Sequence, residues 1–177
     1  KQANYYTEET MKVQSRLANK EMRAFTVLDL ENECGGAELV PKYANEVRRQ
    51  FQKLTLPYPS QTVIAVGSRA LSIYPQLYFD WPEARILCRP GIDGADICLC
   101  EVLVAEATAR RSACVVIGSG DGMFAEPAAY LKKQGTRIIV VGRRAAISQR
   151  LIRVADEISF IDDKAFHSGT SKVMGPS

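Results

Sequence analysis

Short runs of consecutive apolar residues alternate along this chain with segments whose apolar positions recur every three or four residues. The runs are Phe25-Thr26-Val27-Leu28, Val63-Ile64-Ala65-Val66, Arg85-Ile86-Leu87-Cys88, Val115-Val116-Ile117 and Ile138-Ile139-Val140-Val141, with a shorter one at Ile158–Ile161. They are rich in β-branched residues and apolar without alternation. That pattern predicts strands buried on both faces. Between them, Leu39, Tyr43, Val47, Phe51 and Leu54 mark one amphipathic helix, with Pro41 suited to its first turn. A shorter helix is expected over about residues 70–79, with its continuity threatened by Pro75. A long helix, entered through Arg89–Asp96, carries Ile97, Cys100, Val104 and Ala107 on one face and ends near Arg110-Arg111. Phe124, Ala128 and Leu131 form the stripe of another, closed by Gly135, and a last helix lies near residues 145–154. Five or six strands alternating with helices build βαβ units. The fold class is therefore α/β, with a mainly parallel sheet and helices on both faces.

Two segments lie outside this alternation. Residues 1–23 are polar and helix-compatible. They read as an N-terminal helical extension, either a contact for a protein partner or a second copy, or a solvated arm. Residues 163–177 are rich in Ser, Gly, Lys and Thr and read as a flexible tail or linker. Residues 24–162 are left as one domain.

Composition narrows the class. Of 177 residues, 46% are hydrophobic and 24% charged, ordinary for a globular protein with one sizeable core. No apolar run approaches the roughly 20 residues of a membrane span. The five cysteines sit at irregular spacing without a Cys-x-x-Cys, and the single histidine, His167, is near the end. This argues against zinc and for a reducing, cytoplasmic setting. A net charge of +3 permits nucleic-acid binding without requiring it.

The chemistry gathers where strands end. Asp29 closes the first strand, and Ser119 and Asp121 sit in the Gly-rich turn Gly118-Ser119-Gly120-Asp121-Gly122 after the fourth. If these two strands are neighbours where strand order reverses, both carboxylates enter one crevice. Two close carboxylates repel, and a divalent cation with a taste for oxygen, Mg²⁺ or Mn²⁺, relieves that. Asp96, in the first turn of the long helix, offers a third oxygen. Asn32 could hold the carboxylates or a phosphate. Such a site can activate water and steady charge on a phosphodiester. Plainer roles compete: Asp93 as an ordinary N-cap, and Ser119 and Asp121 as caps for the helix at Phe124. Glu101, five residues beyond Asp96, falls well round the helix. Arg69, Arg89, Arg143 and Arg144 each follow the carboxyl end of a strand, on the same rim, and suit a polyanion.

Other chemistries are disfavoured. In a dinucleotide fingerprint starting at Gly118, the sixth position is Met123 rather than Gly, and the next strand ends in Gly142-Arg143 rather than an acid. There is no P-loop, and without a histidine in the folded part there is no histidine-based triad.

These pieces resemble the NYN domain family, a branch of the PIN-like nucleases, over about residues 25–162. Asp29-Leu30-Glu31-Asn32 is similar to the family's opening Asp-x-x-Asn, and Asp93-Gly94-Ala95-Asp96 to its Gly-x-Asp at the crossover helix. Ser119-Gly120-Asp121-Gly122-Met123-Phe124 is similar to its Ser-Gly-Asp-x-Asp-Phe. The resemblance implies a three-layer PIN-like domain with strand order 3-2-1-4-5, Mg²⁺ or Mn²⁺ binding and RNA cleavage. It casts Asp29, Asp96 and Asp121 as metal ligands, with Asn32 and Ser119 orienting ligands or water. Two departures stand out: Met123 replaces a second acid, and Glu101 lies one residue short of a further one. The alternative is therefore a degenerate module that binds RNA or a protein partner without cutting.

Overall fold

A computed structural model describes residues 23–35, 39, 41–55, 60–67, 72–107 and 112–162. Six strands form one sheet: β1 (Ala24–Asp29), β2 (Ser60–Val66), β3 (Ala84–Cys88), β4 (Cys114–Gly118), β5 (Arg137–Arg143) and β6 (Glu157–Ile161). Every pairing is parallel and the order is β3-β2-β1-β4-β5-β6. This is the expected order with a sixth strand added beside β5. β1 lies between β2 and β4, so the first and fourth strands are neighbours at the point where strand order reverses.

The unalternating strand runs have a simple cause. In β1, Leu28 faces one core with Ile64, Val66, Val116 and Val141, while Phe25 and Val27 face the other with Val63, Val115, Ile117 and Val140. Successive residues of a strand point to opposite faces, and here both faces are covered. Over the first face pack α1 (Leu30–Glu33), α2 (Pro41–Thr55) and α3 (Tyr74–Asp80), through Leu30, Val47, Phe51 and Leu77. Over the second pack α4 (Gly94–Glu106), α5 (Ala125–Lys133) and α6 (Gln149–Val154), through Leu99, Leu103, Ala128, Leu131 and Leu151. Among the described residues no helix is long and apolar enough to cross a membrane.

Several elements differ from expectation. Asp29-Leu30-Glu31-Asn32 is not a plain turn, because Asp29 caps the single-turn helix α1. Pro75 does not break its helix but begins it, in the first turn, where a missing N–H costs nothing. In α4 the buried face is Ala95, Leu99, Val102 and Leu103, while Ile97 and Val104 are exposed. That segment is apolar on nearly every side, so spacing alone picks no face. The last helix is shorter than expected and starts after Ser148, whose hydroxyl accepts the Leu151 N–H at 3.2 Å. Gly135 follows α5 at φ +85°, as the pattern predicts. The expected extension over 1–22, the tail over 163–177 and Arg110-Arg111 lie outside the described residues.

Candidate active site

Two turns at the carboxyl edge of the sheet are tied into one unit. Asp29, the last residue of β1, accepts the Asn32 N–H on Oδ1 at 3.1 Å and so caps α1. Its other oxygen accepts the hydroxyl of Ser119 at 3.2 Å. Ser119, fully buried just beyond β4, also accepts the Asp121 N–H at 3.2 Å. Asn32 answers from the other side, its side-chain oxygen accepting the Gly120 N–H at 3.0 Å. Asp121 Oδ1 accepts the Met123 N–H at 2.7 Å, capping the short 3-10 turn Gly122–Phe124 that leads into α5. Gly120 is required by close approach: a Cβ there would lie 2.4 Å from the carbonyl oxygen of Ala146.

Asp96 reaches this unit from the first turn of α4. The two carboxyls lie close enough for each to shift the titration of the other. Burial first, then the Asp96 charge, pushes the Asp29 carboxyl from 3.8 up to about 8, against the lowering effect of the Asn32 N–H and Ser119 hydroxyl. Asp96 is raised too, mainly by burial and by the charge of Asp121. The pair thus titrates as one centre above the usual carboxylate range. Asp96 Oδ1 is buried and finds no hydrogen-bond partner among the described residues. All three aspartates are felt at Cys100, one turn along α4. Its thiol is pushed up to about 12 by burial, then by Asp96, Asp121 and Asp29.

Asp29, Asp96, Asn32 and Ser119 are therefore brought together, with Asp121 beside them but exposed and capping its own turn. Among the described residues no three His, Cys, Asp or Glu side chains form a group that could hold a metal ion as they stand. The fit to such an ion rests on the paired carboxylates and the orphaned Asp96 oxygen. All the donors are hard oxygens, the set preferred by Mg²⁺ and Mn²⁺.

The remaining positions divide. Asp93 is the residue before α4, but at φ 54° and with no side-chain cap bond. Glu101 is exposed and forms an ion pair with Arg89 at 2.7 Å. Arg143 is at the rim, its Nε donating to the Asn32 carbonyl at 3.2 Å. Arg144 lies over the Phe160 ring, 3.9 Å from its centroid. Arg69 lies outside the described residues. Met123 is exposed and lines a groove with Cys100, Val104 and Tyr130, so it is not a core residue like Phe124. Two acids had no place in the sequence reading. Glu31 accepts the Gly67 N–H at 3.2 Å, and Glu33 is wholly buried. The cluster Asp29-x-Glu31-x-Glu33 straight after a buried strand was the available signal.

The NYN domain family model matches residues 87–162, a stretch that contains Asp96, Ser119 and Asp121. The match ends at the close of β6, and Asp29 and Asn32 precede it and enter the site through the sheet. Among solved structures, a crystal structure of a protein of unknown function from Vibrio parahaemolyticus is similar at a TM-score of 0.58 and 16% identity. That likeness covers 81% of this chain and 95% of the other. It supports the architecture, a parallel α/β sheet with helices on both faces. No curated protein matches the chain. The NYN domain is a nuclease-type, RNA-related domain of the PIN-like class.

Proposed function

We propose that residues 24–162 form a Mg²⁺- or Mn²⁺-dependent ribonuclease domain that hydrolyses phosphodiester bonds of RNA. The observation that carries this reading is the buried Asp29 carboxylate with Asp96 near it, one Asp96 oxygen being buried and without a hydrogen-bond partner among the described residues. Asp29, Asp96 and Asp121 would hold the ion. When bound, it supplies Lewis-acid neutralisation of phosphoryl oxygens and a lowered pKa for attacking water. Ser119 fixes the orientation of Asp29 through its hydroxyl. The Asn32 side-chain oxygen is occupied by Gly120, which leaves its amide NH₂ to donate to a phosphate oxygen. Arg143 and Arg144, with Arg89 and the sequence candidate Arg69, hold the polyanion. Glu101 offsets part of Arg89's charge, so Arg89 contributes less than Arg143 and Arg144.

The test is cleavage of single-stranded RNA with Mn²⁺. Asn caps helices as well as Asp does, so Asp121→Asn keeps the local turn while removing a charge. Cleavage should fall by at least about tenfold to a hundredfold, the range for a lost metal-site partner. Equal cleavage by the variant overturns the assignment. A second reading, RNA or protein binding without cutting, is favoured by Met123 two residues after Asp121 and by Asp121 being exposed and spending one oxygen on its own turn. Calorimetric titration with Mn²⁺ separates the two, since only the first requires saturable binding that Asp121→Asn weakens.

A further inference from the structure

The edge of the sheet beyond β5 carries features that the carboxylate site does not use. Leu28, Gly118, Val141 and Ser159 are register partners across β1, β4, β5 and β6. One residue further on, Asp29 heads the site and Phe160 stands on the edge strand, paired with Gly142. Phe160 is 39% exposed, and the guanidinium of Arg144 is stacked on its ring. At the sheet edge Phe160 also lines a groove of about 300 Å³ whose other wall is α2, including Lys53 and Leu54. The groove is held in shape by Gln50. Its amide oxygen accepts the Asp162 N–H at 2.7 Å, and its amide nitrogen donates to the Asp162 carbonyl at 3.4 Å. Two acids line the groove: Glu46, which is taken by Arg49 and Gln50, and Asp162, against the cations Arg49 and Lys53.

We infer that the Phe160–Arg144 stack and the groove beside Lys53 and Leu54 form a base-stacking subsite for single-stranded RNA. The inference rests on the ribonuclease reading. An aromatic ring and a guanidinium plane are the two protein surfaces on which unstacked bases lie flat, and a lysine on the far wall suits the accompanying phosphate. Arg143 lies between the two places, bonded to the Asn32 carbonyl at one and adjacent in sequence to Arg144 at the other. The groove is at the small end of ligand sites, with room for a single base. A duplex, whose bases are stacked on one another, cannot present one to it. Three strand spacings separate β1 from β6, about 14 Å at roughly 4.8 Å each. At roughly 3.4 Å per stacked nucleotide that distance is about four nucleotides, and fewer for an extended strand. The subsite therefore contacts a base a few positions from the phosphate at the carboxylates and selects single strands over duplexes.

The experiment is fluorescence anisotropy with oligouridylates from dinucleotide to octanucleotide, without metal, on the wild type, Phe160→Leu and Phe160→Trp. Leucine keeps an apolar side chain at the groove but has no ring face. Phe160→Leu should lower octanucleotide affinity roughly tenfold, leave dinucleotide affinity unchanged, and be rescued by Phe160→Trp. A circular-dichroism melt confirms that each variant is folded. If the wild type binds the octanucleotide and Phe160→Leu binds it equally well, this subsite is overturned and the ribonuclease reading stands. If the wild type binds no oligonucleotide, both fall. A loss confined to an acidic peptide of matched charge also overturns the subsite and assigns the groove to a protein partner.

Discussion

The side-chain oxygen of Asn32 accepts the backbone N–H of Gly120 at 3.0 Å, so the turns after β1 and β4 hold each other in place. Asn32→Ala leaves that buried donor without a partner, at a cost of about 1–3 kcal/mol. For a domain of this size the melting temperature should fall by about 2–4 °C per kcal/mol. Asn32→Asp keeps an acceptor and should recover part of the loss. Thermal melts of the two variants check this, and equal melting of Asn32→Ala and wild type would mean the bond carries no weight.

The acid pair sets a pH dependence. Burial and Asp96 raise Asp29 from 3.8 to about 8 in the folded state. Between these values the folded protein holds a proton that the unfolded chain has already released. Stability is then full below the unfolded value and declines as pH rises through the folded one. Metal-free protein should melt progressively lower from about pH 4 to about pH 8. Asp29→Asn, which cannot ionise and still caps α1, should flatten the profile, and saturating Mn²⁺ should raise the alkaline end. A flat wild-type profile would show that burial and Asp96 do not hold Asp29 protonated.

Gly120→Ala places a methyl 2.4 Å from the Ala146 carbonyl oxygen and 3.0 Å from the Ile147 nitrogen. Both are backbone atoms and cannot swing aside. The cost should reach about 1–3 kcal/mol, the range for overpacking, with a weakened contact between the β4 turn and the segment before α6. Urea unfolding with an unchanged slope but a lower midpoint is the expected result.

Met123→Asp tests the missing acid. Met123 is 37% exposed, so a carboxylate there meets water and the melting temperature should hardly move, within about 0.5 kcal/mol of stability. Mn²⁺ affinity should tighten if the position belongs to the carboxylate site. Unchanged affinity in a folded variant would assign Met123 to the groove with Cys100 and Tyr130 alone.

Much of this fold was readable because its strands are short, buried on both faces and followed directly by Gly, Asp or Arg. The strand endings put Asp29, Ser119 and Asp121 on one rim before any coordinates were needed, and the resemblance supplied the strand order. The buried face of α4 was not readable, because Ile97, Leu99, Val102, Leu103 and Val104 leave no polar side to mark solvent. Nor was the influence of Asp96 on Asp29. Spacing can place an acid in a first turn, but the side chain it meets depends on how the helix is seated on the sheet. Arg89 and Arg144 looked alike in sequence, yet one is held by Glu101 and the other by Phe160, partners set by tertiary packing.

β1 has both edges occupied, by β2 on one side and β4 on the other. Ser119 lies 90 positions beyond the Asp29 it serves. Closing so long a stretch loses chain entropy before the contact returns anything, which makes such pairings slow steps in folding. The Asp29–Ser119 and Asn32–Gly120 bonds can close only once the chain has reached the turn beyond β4, so the two halves of the centre meet through long-range contacts alone.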